Sequence, residues 1–77
     1  QHPQSMFSII QSKEHAKIIH WDHQEKGIRI LNQKKLEEYI LPRFYRHNRF
    51  SSFVRQLNMY DFHKVHLADH RYIFKHP

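Results

Sequence analysis

Arg55, with Ser52 one turn before it and Asn58 one turn after, could carry recognition chemistry if the stretch from Phe50 to Tyr60 is helical. Spacings of three and four put side chains on one face of a helix. Phe53, Leu57 and Tyr60 then share one face, able to lock into a small core. Ser51, Ser52, Arg55, Asn58 and Met59 share the other. That second face offers a forked guanidinium, hydroxyls and an amide. These are the groups that read base edges in a major groove.

Other chemistry finds little support. Glu37 and Glu38 are adjacent, so on a helix they cannot face one another as an acid–base pair. No nucleophile has a plausible base, and no glycine-rich loop could cradle phosphate. An enzyme is therefore not expected, nor is a cofactor. Nine histidines raise the question of a metal. His20 and His23, or His63 and His66, are three apart, and on a strand such residues point to opposite faces. With no cysteine and no HExxH helix, no metal site is expected. Histidines beside arginines fit phosphate contact better, and their protonation near pH 6 would raise affinity for an anion as pH falls.

Charge agrees with an anionic partner. The 77 residues carry 13 Lys and Arg against 7 Asp and Glu, a net +6. Arg43, Arg46, Arg49, Arg55 and Lys64 cluster in one stretch with Asp61 as its single acid. Glu14, Asp22, Glu25, Glu37 and Glu38 lie in the first half. The C-terminal half is thus the expected binding side. The length makes one domain, with a small core that 14% aromatic residues help to fill. No apolar run is long enough for a membrane span, so no membrane partner is expected, and the first residues lack a signal-peptide core.

The elements that must position the recognition face follow from periodicity. Residues 1–5 read as a disordered polar lead, and residues 6–77 as the domain. Met6 to Lys17 reads as a helix with Phe7, Ile9 and Ile10 inward. Ile18 to Trp21 and Ile28 to Ile30 read as a strand pair, joined by a turn over the polar stretch Asp22 to Gly27, which holds the only glycine. Trp21 is expected in the core of an interior strand. Asn32 should cap a second helix that buries Leu36, Tyr39 and Ile40 and is kinked or broken by Pro42. After the polar turn Arg46 to Arg49 comes the Phe50–Tyr60 helix, with Ser51 as its N-cap candidate. Phe62 to Leu67 and Arg71 to Lys75 read as strands around a tight Ala68–His70 connection. The fold class is α+β: a winged helix-turn-helix with three helices, a small four-stranded antiparallel sheet and a short wing. Its second helix-turn-helix element enters the major groove.

Phe53-Val54-Arg55-Gln56-Leu57-Asn58-Met59-Tyr60, continued by Phe62-His63-Lys64-Val65, closely resembles the DNA-binding domain of heat shock transcription factors. The match includes Ile19-His20-Trp21, Ile40-Leu41-Pro42, Phe44-Tyr45, His47-Asn48, Phe50-Ser51-Ser52 and Phe74-Lys75-His76-Pro77, and covers nearly the whole chain from about Phe7. The resemblance implies binding to double-stranded DNA carrying inverted GAA-type repeats. It places Arg55 on guanine, with Ser52 and Asn58 as further groove contacts. Arg46, His47 and Lys64 match positions near the DNA backbone. Ser51 and Tyr60, through their hydroxyls, complete the candidate phosphate-binding set.

Asp61 stands where the family usually has glycine, at a helix end expected to need left-handed backbone. Its charge faces the unfavourable end of the helix dipole. The wing connection is only about three residues, short like that of plant members and unlike the long wing of animal and fungal ones. Family members trimerise through a following coiled coil, and many carry an activation segment. The chain is read as a domain excised from such a nuclear, oligomeric protein. The alternative is a divergent paralogue acting as a protein-interaction module or a non-specific nucleic-acid binder.

Overall fold

The computed structural model describes residues 3–77, with side chains from Met6 onward. The lead expected over residues 1–5 falls partly outside them, and helix α1 (Pro3–Gln11) already begins at Pro3. A 3-10 turn (Lys13–His15) follows, then β1 (Ile19–Asp22), β2 (Gly27–Ile30), α2 (Gln33–Lys35), a π turn (Leu36–Ile40), α3 (Leu41–Phe44), α4 (Phe50–Met59), β3 (His63–His66) and β4 (Tyr72–Lys75). The four strands form one antiparallel sheet in the order β1-β2-β4-β3. The helices pack on one face of it.

The core is built where these faces meet. Register places Ile28 opposite both Trp21 and Phe74. Ile9, Ile19, Ile28, Leu36, Leu41, Phe53, Leu57 and Phe74 are completely buried. Phe53 and Leu57 thereby clamp α4 to the sheet. Trp21 is half-buried, because β1 is an edge strand and not the interior one expected. Its indole packs edge-on to Phe62, with ring centroids 6.4 Å apart.

Two local expectations are corrected, and the hairpin turn gains detail. In α1, Met6, Ile9 and Ile10 face inward while Phe7 is 55% exposed. This helix ends at Gln11, six residues before the expected Lys17, and the 3-10 turn then tucks His15 beneath it. His15 Nδ1–H donates to the Ile9 carbonyl at 3.0 Å. The hairpin turn lies within Asp22 to Gly27 as expected, and within it Lys26 takes the left-handed backbone, with φ 59°. The turn is shaped by Asp22, which accepts from the amides of Gln24 at 3.0 Å and Glu25 at 2.9 Å. Gly27 itself lies in β2. A Cβ there would stand 2.7 Å from the Phe74 carbonyl oxygen and 2.9 Å from the Ile73 side chain. Close approach of β4 requires its absence.

The second correction concerns the helical rod of residues 33–44. Asn32 caps it as expected, its Oδ1 accepting from Lys35 N at 3.0 Å. The chain does not break at Pro42. It absorbs the proline with a wide turn, in which Leu41 N–H reaches back five residues to the Leu36 carbonyl. The widened turn sets Ile40 above Leu36 and swings Tyr39 outward, so Tyr39 is 59% exposed and not buried. Leu36, Ile40 and Leu41 form the inner face.

Candidate nucleic-acid interface

Both ends of α4 are set by contacts that decide what its outer face can present. At the N-terminus, Arg49 occupies the cap position with φ −91° and ψ 127°, and its side chain makes no cap bond. Ser51 is not the cap; it lies in the first turn. The Phe50 amide donates instead to Glu37 Oε2 at 2.9 Å, thirteen residues back in the chain. A carboxylate there also suits the positive end of the helix dipole.

At the C-terminus, Asp61 adopts φ 68°, as the sequence suggested. Phe62 N–H donates to the Leu57 carbonyl at 2.9 Å and Asp61 N–H to that of Asn58 at 3.0 Å. This is a Schellman motif, and the hydrophobic contact that accompanies it is supplied by Phe62 and Leu57, which share the core. The Asp61 carboxylate is partnered as well: Oδ1 accepts from His63 Nε2 at 2.9 Å. The aspartate thus turns its charge toward an imidazole at the start of β3.

Between these ends the helix divides as its periodicity predicts. Phe53 and Leu57 are buried, and Val54 and Tyr60 are half-buried against the core. Ser51, Arg55, Asn58 and Met59 are exposed, with Met59 73% accessible, and Ser52 is half-buried. The three base-reading candidates therefore share one outward face, with Ser52 set deepest.

The phosphate candidates surround this helix. Arg46 is exposed on the connection leading into it. His47 is half-buried and stacks on Tyr45 at 5.2 Å with rings 13° from parallel. Tyr45 in turn packs edge-on to Phe53 of α4 at 6.2 Å, so His47 is tied to the recognition helix through a buried aromatic. Burial, with a smaller contribution from Tyr60, raises the Tyr45 phenol above its usual range. His47 Nδ1 is buried without a hydrogen-bond partner. Lys64 is exposed on β3, its ammonium 4.5 Å from the centre of the Tyr72 ring. This cation–π contact holds a long side chain beside the helix end.

Three of the Lys and Arg side chains are held in ion pairs among the described residues. Arg29 pairs with Asp22, Lys75 with Glu25 and Arg71 with Asp69. Among the described residues, Arg43, Arg46, Arg49, Arg55 and Lys64 enter no ion pair, and neither do Lys13, Lys17, Lys26, Lys34 and Lys35. The cations on and around α4 thus have no internal carboxylate partner. No group of three or more His, Asp or Glu side chains among the described residues is placed to hold a metal ion. Glu37, the Asp61–His63 pair and the Tyr72 ring beneath Lys64 all shape the face. No sequence signal marked them, because each depends on a contact formed only in the fold.

A helix locked to a sheet by one face, with unpaired cations on the other and a short hairpin beside it, defines a winged helix-turn-helix nucleic-acid-binding domain. The family model described as HSF-type DNA-binding matches residues 2–77. The chain belongs to that family. It is 43% identical over 60 residues to transcription factor SKN7 of Saccharomyces cerevisiae, covering 78% of this chain and 10% of that protein. It is 40% identical over 60 residues to the heat shock transcription factor of Kluyveromyces lactis, covering 78% and 9%. Among solved structures, it resembles Chaetomium thermophilum Skn7 with SSRE DNA, at TM-score 0.83 and 32% identity over 96% of this chain and 80% of that one. The same protein with HSE DNA aligns at TM-score 0.82 and 33% identity, over 96% and 80%. The chain spans about a tenth of the length of these curated relatives. The family is one of transcription-factor DNA-binding domains, not of enzymes. No described helix is long and apolar enough to cross a membrane.

Proposed function

We propose that this domain binds double-stranded DNA sequence-specifically, with α4 in the major groove, and serves a nuclear transcription factor without catalytic activity. The observation that carries the reading is the division of α4. Phe53 and Leu57 are fully buried while Arg55 stands exposed and unpaired on the opposite side. Arg55 donates in parallel to O6 and N7 of a guanine. Ser52 and Asn58 contact neighbouring groove atoms. Arg46, His47, Ser51, Tyr60 and Lys64 hold the phosphates on either side and set the helix in register. The target is a pair of inverted GAA-type units, a reading supported by the likeness to Skn7 with HSE DNA. One domain binds weakly, and a trimeric full-length protein gains avidity from neighbouring units.

Fluorescence-anisotropy titration against an inverted-GAA duplex and a scrambled duplex, at two salt concentrations, tests this. Preference for the GAA duplex that survives the higher salt is the expected result. Equal binding to both that salt abolishes would leave only non-specific attraction to phosphate.

A further inference from the structure

The N-terminus of α4 has the wrong residue at its cap. That position favours Asn, Asp, Ser or Thr, whose side-chain oxygen accepts from a first-turn amide. An arginine has only donors and cannot do this. Arg49 nevertheless holds the cap backbone, its carbonyl accepting from Phe53 N–H at 3.2 Å. The stabilising acceptor comes from a different part of the fold, as Glu37 Oε2 reaches the Phe50 amide at 2.9 Å. The arginine side chain is exposed, with no hydrogen bond or ion pair among the described residues. Arg43, earlier on the same side of the sequence, instead has its guanidinium carbon 6.0 Å from the Phe44 ring centre. The stretch therefore keeps a free cation at the entry to its recognition helix, in a position where local helix stability asks for another residue.

We propose that Arg49 is a further phosphate-binding residue of the DNA interface, kept at the cap although it leaves the N2 and N3 amides without a side-chain acceptor, while Glu37 holds the N1 amide of Phe50. The assignment rests on α4 being the recognition helix. Arg49 lies two residues before exposed Ser51 and three after Arg46. Together with Arg46 it would bracket the connection that leads into the groove. A cation at this place adds affinity for any duplex and no preference among sequences, because phosphate contacts position the protein without reading bases.

The substitution Arg49→Asn separates this role from a structural one, since the two predict opposite signs. Asparagine supplies the missing local cap, so the melting temperature should rise by roughly 4–8 °C. DNA affinity should nevertheless fall by about the same factor for GAA and scrambled duplexes. The slope of log K against log salt should shrink by about 0.9. Arg49→Lys should keep the salt slope without the thermal gain. Arg55→Ala is measured alongside. Unchanged affinity and slope in Arg49→Asn, while wild type still prefers GAA, would overturn the proposal and leave the recognition reading standing. A loss confined to the GAA duplex would also overturn it, by making Arg49 a base reader. Failure of the wild-type domain to distinguish or bind any duplex would instead remove the reading on which the proposal rests.

Discussion

Arg55 and Arg46 carry the same charge, but the proposed function gives them different work. Arg55 is on the exposed face of α4, opposite buried Phe53 and Leu57; Arg46 is on the connection before it. A bidentate arginine–guanine pair is worth about 1–3 kcal/mol of discrimination, or roughly 5- to 150-fold. Arg55→Ala should therefore remove most preference for the GAA duplex while residual binding to scrambled DNA persists. Arg46→Ala should weaken both duplexes alike and flatten the salt dependence. Anisotropy on the two variants checks this, and an undiminished preference in Arg55→Ala would displace that residue from the base-reading role. Glu37 acts on a different quantity. Its carboxylate holds the Phe50 amide, so Glu37→Ala should lower stability by about 1 kcal/mol, read by urea denaturation. No change in the midpoint would show that solvent satisfies the amide equally well.

Among the elements, the sheet depends on how closely β2 and β4 approach. Gly27 opposes Lys75, and a Cβ at Gly27 would collide with the Phe74 carbonyl oxygen at 2.7 Å. Backbone cannot yield as a flexible side chain can. Gly27→Ala should cost about 3 kcal/mol and shift the thermal midpoint downward, although its backbone angles are ones alanine accepts. A variant as stable as wild type would mean that the two strands can separate freely. The short wing is shaped in the opposite way, by backbone sign. Asp69 and His70 both have φ 61°, which a type I′ turn requires at its central residues. Asp and His tolerate that region better than most side chains. A hairpin this tight keeps Lys64 and Tyr72 in fixed relation beside α4. The π turn does comparable work upstream, keeping Ile40 and Leu41 inward despite Pro42.

Across the described residues, only part of the positive charge is paired. Acids hold Arg29, Lys75 and Arg71, while Arg43, Arg46, Arg49, Arg55 and Lys64 pair with none among the described residues, as is also true of Lys13, Lys17, Lys26, Lys34 and Lys35. One pair also links fold stability to pH. Backbone donation from Glu25, then the Arg29 guanidinium, lowers the Asp22 carboxyl below its ordinary value. A depressed folded-state value means that the unfolded chain takes up the proton first. The stabilisation is thus complete above about pH 4, the ordinary aspartate value, and is lost as pH falls through the lower folded value. Thermal melts between pH 6 and pH 2 should show this loss, with a smaller pH dependence in Asp22→Asn. Identical profiles for the two proteins would exclude Asp22 as its source.

Periodicity alone determined the recognition helix, because burying Phe53 and Leu57 at a spacing of four leaves Arg55 no direction but outward. Local chemistry likewise marked the Asn32 cap and the left-handed Asp61, since both are short-range demands of the backbone. The strand pattern and the charge cluster together implied the winged architecture. Contacts distant in sequence were decided elsewhere. Glu37 reaches Phe50 only after the rod of residues 33–44 folds back on α4. Gly27 is needed only because β4 lies against it, and Tyr39 turns outward only because the π turn shifts the helix phase. Side-chain spacing records the face a residue prefers, but not what the rest of the chain will bring to that face. For that reason the exposed and buried faces of α4 were legible in the sequence, and the contacts that hold the helix in place were not.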